Sequence, residues 1–257
     1  MAPLTAPADQ RPIAQMRWRI LGPALPEGRA TAVVGSNAHP LLYYAGTAGG
    51  GVWKTTDGGA SWQNISDSIA AASIGAVALD PNDDRSVWVG AGETNPRNDV
   101  IPESGLFHSP NGGRTWQKLD FSGEGGISRI VVDPKNPKHV VVGVLGNPFA
   151  ASEHRGVYVS FDGGVSFAKT LYLSSQSGAS DLAMDTHDPN VIFAGMWHVL
   201  RRPWHLSSGG SEDDGLFRSS DGGTSWNRVA GNGFPAPPLG RIGVAIAPSQ
   251  PARVYAL

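Results

Sequence analysis

The chain has 257 residues, a formal net charge of −2 and no cysteine, so disulfides and thiolate metal sites are excluded. No run of Lys or Arg stands out, which removes the electrostatic reason to expect a nucleic acid or an anionic membrane as partner. With 34 Gly and 20 Pro beside 40% hydrophobic residues, the composition suits many short strands joined by tight turns and is too apolar for disorder.

Residues 1–15 read as a disordered N-terminal segment without the charged and apolar regions of a secretory signal. A cytoplasmic chain, or one whose presequence has been removed, would both fit. No apolar run approaches the ~20 residues that a membrane helix needs, so no membrane insertion is predicted. Within 16–21, Trp18-Arg-Ile-Leu21 reads as a lone outer strand, like Trp62-Gln-Asn-Ile, Trp116-Gln-Lys-Leu and Trp226-Asn-Arg-Val further on.

From residue 29 one unit recurs. The stretch Gly51 to Trp62 (GVWKTTDGGASW) returns as Gly105 to Trp116, Gly156 to Phe167 and Gly215 to Trp226. All four share Ser/Thr, any residue, Asp/Asn, Gly, Gly, any residue, Ser/Thr and an aromatic. The Asp/Asn positions 57, 111, 162 and 221 lie 54, 51 and 59 residues apart, a propeller-blade spacing. Ahead of the later copies lie paired apolar runs: Ile74 to Leu79 with Val87 to Ala91, Ile127 to Val132 with Val140 to Val144, and Ala179 to Met184 with Val191 to Ala194. Asp-Pro-type turns separate them, and none has helical period. Each unit therefore reads strand A, turn, strand B, variable loop, strand C, Asp-Gly-Gly turn, strand D.

The predicted fold class is all-β: a propeller of four-stranded antiparallel blades at about 29–65, 74–119, 127–172 and 179–229, with a partial fifth at 240–257. The whole propeller spans 16–257. It reads as the front of a longer propeller, because ending within a blade leaves a raw sheet edge. A five-bladed ring closed by the N-terminal strand is the alternative.

Asp57, Asn111, Asp162 and Asp221 are assigned a structural role. A short carboxylate or amide accepts backbone N–H bonds in a turn, and the Gly pair tolerates positive φ. The candidate site lies on the opposite face, where three long B–C loops gather: Gly92 to Ser104, Leu145 to Arg155, and Met196 to Asp214. Trp197, Arg201, Arg202, Trp204 and His205 suit stacking on a sugar or clasping a peptide, unless the aromatics fold inward. Arg29, Arg129, Asp181 and Arg241 fall at the starts of A strands beside the central channel. They form either a structural ion network with Glu93 or an anion site; the near match of opposite charges favours the network.

The repeated turn resembles the Asp-box, or BNR repeat, of sialidases, the sortilin propeller, xyloglucan-degrading endoglucanases and a photosystem II assembly factor. Trp18-Arg-Ile-Leu-Gly-Pro23, Gly28-Arg29, Tyr43-Tyr44, Gly49 to Gly59, Gly92-Glu93, Ser207-Ser-Gly-Gly210 and Arg241-Ile-Gly243 are most similar to large bacterial sortilin-like proteins labelled as BNR-repeat glycosyl hydrolases. That resemblance implies a longer parent chain and an extracytoplasmic setting. A sialidase would use a Tyr–Glu nucleophile, yet Tyr43, Tyr44, Tyr158, Tyr172 and Tyr255 have no evident acidic partner in sequence. In xyloglucan-degrading relatives one catalytic Asp lies in a Thr-Asp-Val-Gly-Gly segment. Here the matching segment is Thr47-Ala48-Gly49-Gly50, with Ala48 in place of that Asp.

Among the loop carboxylates Glu93, Asp99, Glu103, Glu153, Glu212, Asp213 and Asp214, Glu93 is the best placed. No P-loop, dinucleotide fingerprint or nucleophile elbow is present, and the histidines are scattered, so neither cofactor nor metal is predicted. The leading reading is a sortilin-like recognition propeller that holds a peptide, protein or glycan at Arg29, Glu93, Arg129, Asp181, Trp197, Arg201, Trp204 and Arg241. A polysaccharide-acting glycoside hydrolase with an incomplete catalytic pair in this chain is the alternative, and an assembly factor docking a protein partner is the third.

Overall fold

A computed structural model describes residues 29–97, 99–231 and 233–257. The expected segment 1–15 and the strand at 16–21 lie outside these residues. Nineteen strands and no helices occur among the described residues, arranged as the blades of a β-propeller.

Blade 1 comprises β1 (Ala30–Gly35), β2 (Tyr43–Thr47), β3 (Val52–Thr55) and β4 (Gln63–Asn64). Blade 2 comprises β5 (Ile74–Asp80), β6 (Asp83–Ala91), β7 (Leu106–Ser109) and β8 (Gln117–Lys118). Blade 3 is β9 (Gly126–Val132), β10 (Val140–Gly146), β11 (Gly156–Ser160) and β12 (Ala168–Leu171). Blade 4 is β13 (Ser177–Met184), β14 (Ile192–Arg202), β16 (Gly215–Ser219) and β17 (Asn227–Arg228), with β15 (His205–Ser208) as an addition on β14. The pair β18 (Val244–Ile246) and β19 (Val254–Ala256) begins a fifth sheet. In the first four sheets each strand pairs antiparallel with its neighbour, in the order expected from the repeat.

The four Asp/Asn-Gly-Gly turns close these sheets at one end. In the third, Ser166 donates through its backbone N–H (2.9 Å) and its hydroxyl (2.5 Å) to Asp162, and Ser160 Oγ donates to the same carboxylate (2.8 Å). Ser160 Oγ also accepts the N–H of Gly164, which sits at φ +87°. Asn111 performs the same task as an amide, accepting from Ser109 and the Thr115 N–H and donating to Thr115 Oγ1. Hydrogen bonds from Ser166 and Ser225 hold the Asp162 and Asp221 carboxyls down at about 2, and Asp57 is lowered by Ser61 and Thr55 in the same way.

A folded-state value below the unfolded one, roughly 3.9, stabilises the fold above that pH and loses its effect as pH falls toward 2. The urea midpoint should therefore drop between about pH 4 and 2. Asp162→Asn, copying the natural Asn111, should make that acid limb shallower. An unchanged limb would exclude Asp162 from the acid response.

Blade-to-blade packing uses a second repeat. The B strands carry Gly46, Gly90, Gly143 and Gly195 in matching register. At each of them a Cβ would run into the next blade, against its A strand or the residue leading into it: Ile74 Cγ2 at 2.6 Å, Ile127 Cβ at 2.5 Å, Ala179 Cβ at 3.2 Å and Ile242 O at 2.7 Å. One residue further along each A strand lies a bulge. There Thr31, Ser128 and Ser180 donate to the carbonyls of Ile74 (2.5 Å), Ala179 (2.6 Å) and Ile242 (2.8 Å) in the following blade. Blade 2 has Gly75 at this position, and the Ile127 carbonyl fills the space a side chain would take. The A–B turns join on the opposite face from the B–C loops: Asn82 reaches Pro134 O, and Lys135 reaches His187 O. The hydrophobic cores accordingly lie between blades.

The expected loop from Met196 to Asp214 is corrected. β14 runs on to Arg202 and turns through Pro203-Trp204 into β15, pairing Arg202 with His205 and Val199 with Ser208. The alternation of Trp197 and Val199 with His198 and Leu200 carries this extension, because the first pair is buried and the second is not. A two-residue connection then closes the hairpin.

Candidate functional site

The B–C loops converge on the face opposite the Asp/Asn-Gly-Gly turns, and the expected residues fall there into three contact groups and a projecting hairpin. In the first group the Arg29 guanidinium grips Glu93 with two bonds, Nε to Oε1 at 3.2 Å and Nη2 to Oε2 at 2.6 Å. Glu93 is 2% exposed, and its own N–H donates to Ser73 Oγ. The fork geometry of arginine matches both carboxylate oxygens, and this bond raises the Arg29 pKa further. Asp99 approaches the same arginine at 3.5 Å from the exposed part of the loop.

In the second group Asp181 joins three blades. Its Oδ1 accepts the Leu182 N–H (2.9 Å) and lies 3.3 Å from Arg129 Nε of blade 3. Its Oδ2 accepts the Val244 N–H of the fifth sheet at 3.0 Å. The third group centres on Arg241, which donates to Asn95 Oδ1 at 2.8 Å and lies over the Trp197 ring, 5.5 Å from its centroid. That contact spans from the fifth sheet to the loop of blade 2. Each of the three channel arginines thus already faces an oxygen acceptor within the chain.

The two loop tryptophans have opposite fates. Trp197 is 3% exposed, packed with Leu145, Val199 and Leu206, so its inner position in the extended strand β14 turns it from a stacking surface into core. Trp204 is 81% exposed at the hairpin tip, with Arg202 and His205 exposed beside it. Arg201 is half-buried, and its backbone N–H donates to Pro148 O at 2.6 Å, tying the hairpin to the neighbouring loop.

Two of the remaining loop carboxylates are held by backbone N–H groups. Glu103 Oε2 accepts the Ser73 N–H at 2.7 Å. Asp214 is fully buried and accepts the N–H groups of His198 and Ser211, which pins the hairpin base. Burial raises its pKa while those two backbone bonds oppose the shift. Ala48 is buried in a tight connection, with its N–H donating to Arg29 O, and offers no acid. No group of three or more His, Cys, Asp or Glu suited to a metal ion occurs among the described residues.

One residue of the B–C loop face escaped the sequence reading. Arg155 is completely buried, and its guanidinium donates to the carbonyls of Gln176, Asn147, Ala150 and Val199 at 2.7–3.2 Å. Among the described residues no carboxylate pairs with it, and burial pushes its pKa down to about 10. The available signal was a cationic residue directly before Gly156, where blades 1, 2 and 4 carry Gly50, Ser104 and Asp214.

No family model matches the chain. Over 217 residues it is 29% identical to a xyloglucanase of Hypocrea jecorina (strain QM6a), which covers 73% of this chain and 24% of that enzyme. A xyloglucanase of Paenibacillus sp is 22% identical over 222 residues, 77% of this chain and 20% of the enzyme. Among solved structures, an ancestral GH74 enzyme superposes with a TM-score of 0.64 at 24% identity, covering 86% of this chain and 26% of that one. The GH74 xyloglucanase from Xanthomonas campestris gives 0.60 at 21% identity, covering 89% and 37%. These likenesses show the propeller fold, and the curated proteins named are xyloglucanases, where sortilin-like proteins were expected. The chain spans only 20–24% of the length of these curated relatives.

Proposed function

We propose that this chain supplies the glycan-engaging arc of a polysaccharide-acting glycoside hydrolase, with a β-glucan lying across its B–C loop face. The observation that carries the reading is the sequence likeness to xyloglucanases over about three quarters of the chain. It ranks above the peptide-recognition reading because the curated relatives reported above are named as enzymes acting on a polysaccharide. The exposed Trp204 fits a sugar-stacking role, since an indole offers a broad apolar face to the C–H groups of a pyranose.

Hydrolysis of a glycosidic bond ordinarily uses two carboxyl groups flanking it. Glu93, the candidate acid here, is bound on both oxygens by Arg29, and Ala48 stands where xyloglucan-degrading relatives carry an Asp. The chain by itself is therefore expected to bind glucan without cutting it.

Native gels containing xyloglucan, with a mannan gel as control, provide the test. Migration should be retarded by xyloglucan only. Trp204→Ala should weaken binding about tenfold, the ~1.4 kcal/mol equivalent of one lost stacking contact. Equal mobility in both gels would overturn the glycan reading. Release of reducing sugar by this chain alone would overturn the incomplete catalytic pair.

A further inference from the structure

Strand β14 changes partner at His198. Up to Met196 its outer edge pairs with β16, Met196 opposite Gly215, and from Val199 it pairs with β15, Val199 opposite Ser208. His198 lies in the fork, where its N–H meets neither strand. Asp214, the residue before β16, closes that fork. One carboxylate oxygen accepts the His198 N–H, and the other accepts the N–H of Ser211 at 2.9 Å, on the segment returning from β15.

Asp214 is itself held from the outer strand. The Arg228 guanidinium of β17 donates to the Asp214 carbonyl at 2.6 Å and to the Glu212 carbonyl at 2.5 Å, and lies over the Phe217 ring. Gly215 makes room for it, since a Cβ there would stand 2.5 Å from Arg228 Nη1. Blades 1, 2 and 3 carry Gly50, Ser104 and Arg155 in place of Asp214. Among the described residues no strand pair extends their B–C connections. The carboxylate and the hairpin occur together.

The bonding pattern requires the charged form. Both oxygens face N–H donors, which a carboxylate satisfies and a carboxylic acid does not, because one of its oxygens then carries a proton. The side chain is wholly buried, and among the described residues no Lys or Arg bonds the carboxylate; Arg228 reaches only the backbone oxygen. Burial raises the Asp214 pKa; the two N–H bonds and the His198 ring oppose this, and neighbouring Asp213 adds to it. A folded-state value above the unfolded one favours the folded chain as pH falls through it. Acid therefore removes a bond from the fork while the blades stay folded, well above the pH near 2 at which Asp162 and Asp221 titrate.

We propose, resting on the glycan function proposed for this face, that Asp214 is a positioning residue: charged, it fixes the hairpin that carries Trp204, and protonated, it lets the hairpin move, so that acid releases the glycan. Trp204 lies six residues beyond the fork, roughly 20 Å along an extended strand. A small change of angle at His198 is thus magnified at the indole.

Isothermal titration of xyloglucan oligosaccharides into the chain, between about pH 7.5 and 4, tests this. Affinity of the unsubstituted chain should fall about tenfold on acidification, the same loss as for Trp204→Ala, with circular dichroism unchanged. Asp214→Asn should bind that weakly already at neutral pH and show a flat profile, because its amide nitrogen faces an N–H donor. Added to Trp204→Ala it should cause no further loss, since its effect passes through the indole. The pH profile of the unsubstituted chain decides the matter should Asp214→Asn not fold. A level profile in that chain, or a fall in affinity that persists in Asp214→Asn, would overturn the role of Asp214 and leave the glycan function standing. No binding by the unsubstituted chain at any pH would overturn both.

Discussion

Replacing Gly75 by Ala is expected to cost about 3 kcal/mol, at the upper end of what overpacking a core usually costs. A Cβ at Gly75 would stand 2.2 Å from both the Gly92 and Ile127 carbonyl oxygens. Both are backbone atoms, one in the same blade and one in the next, so no side-chain rotamer can relieve the clash. Relief requires blades 2 and 3 to separate, which would also loosen Ile127 against Gly90. For a chain of this size the melting temperature should fall by roughly 6–12 °C. Gly240→Ala is the matched control, since nothing lies within 4 Å of its added carbon. It should be neutral, or stabilising by up to about 1 kcal/mol through a less flexible unfolded chain. Equal melting temperatures for the two variants would show that the blade contact at Gly75 is looser than the structure has it.

Arg155→Met should destabilise the fold by roughly 2–4 kcal/mol. The thioether fills part of the volume but donates to none of the four carbonyls. Gln176 O and Asn147 O keep the N–H groups of Val199 and Ala150, so the loss falls mainly on the Val199 carbonyl, and a buried acceptor left without a donor costs about 1–3 kcal/mol. Removing a buried cation returns some desolvation energy, and this holds the net effect below the simple sum. Arg155→Lys should recover little, because a compact ammonium cannot reproduce the planar fork spread over Gln176, Asn147, Ala150 and Val199. The loss should begin locally. Limited proteolysis ought to cut near Asn147–Ala151 in the Met variant under conditions where the parent is intact. Cleavage first at some other loop would mean that Arg155 does not hold this one.

These two sites differ in how far they could be read beforehand. The Asp/Asn-Gly-Gly turns were legible because their chemistry is local: hydroxyl, carboxylate and N–H groups lie within four residues of one another. The strand alternation and the blade count were legible for the same reason. Gly75 could not be read this way. Its requirement comes from a carbonyl 52 residues further along the chain, which arrives only when two blades pack together. Arg155 likewise looks like an ordinary loop residue until Gln176 and Val199 of blade 4 close over it.

The candidate face divides along the same line. Its loops were identifiable by length, and the starts of the A strands by their charge. Which aromatic would be buried depended on the pairing of β14 with β15, since that register sends Trp197 inward and leaves Trp204 at the tip. Whether Arg29, Arg129 and Arg241 would stand open or paired depended on carboxylates and an amide brought in from other segments.

The amino-acid sequence alone determines the repeat, the class of sheet and the turn that closes each blade, because those rest on hydrogen bonds and alternation between near neighbours. Only the tertiary structure decides the partners of the channel charges, the tight contact at Gly75 and the burial of Arg155. Those depend on distances between blades, which no local pattern encodes.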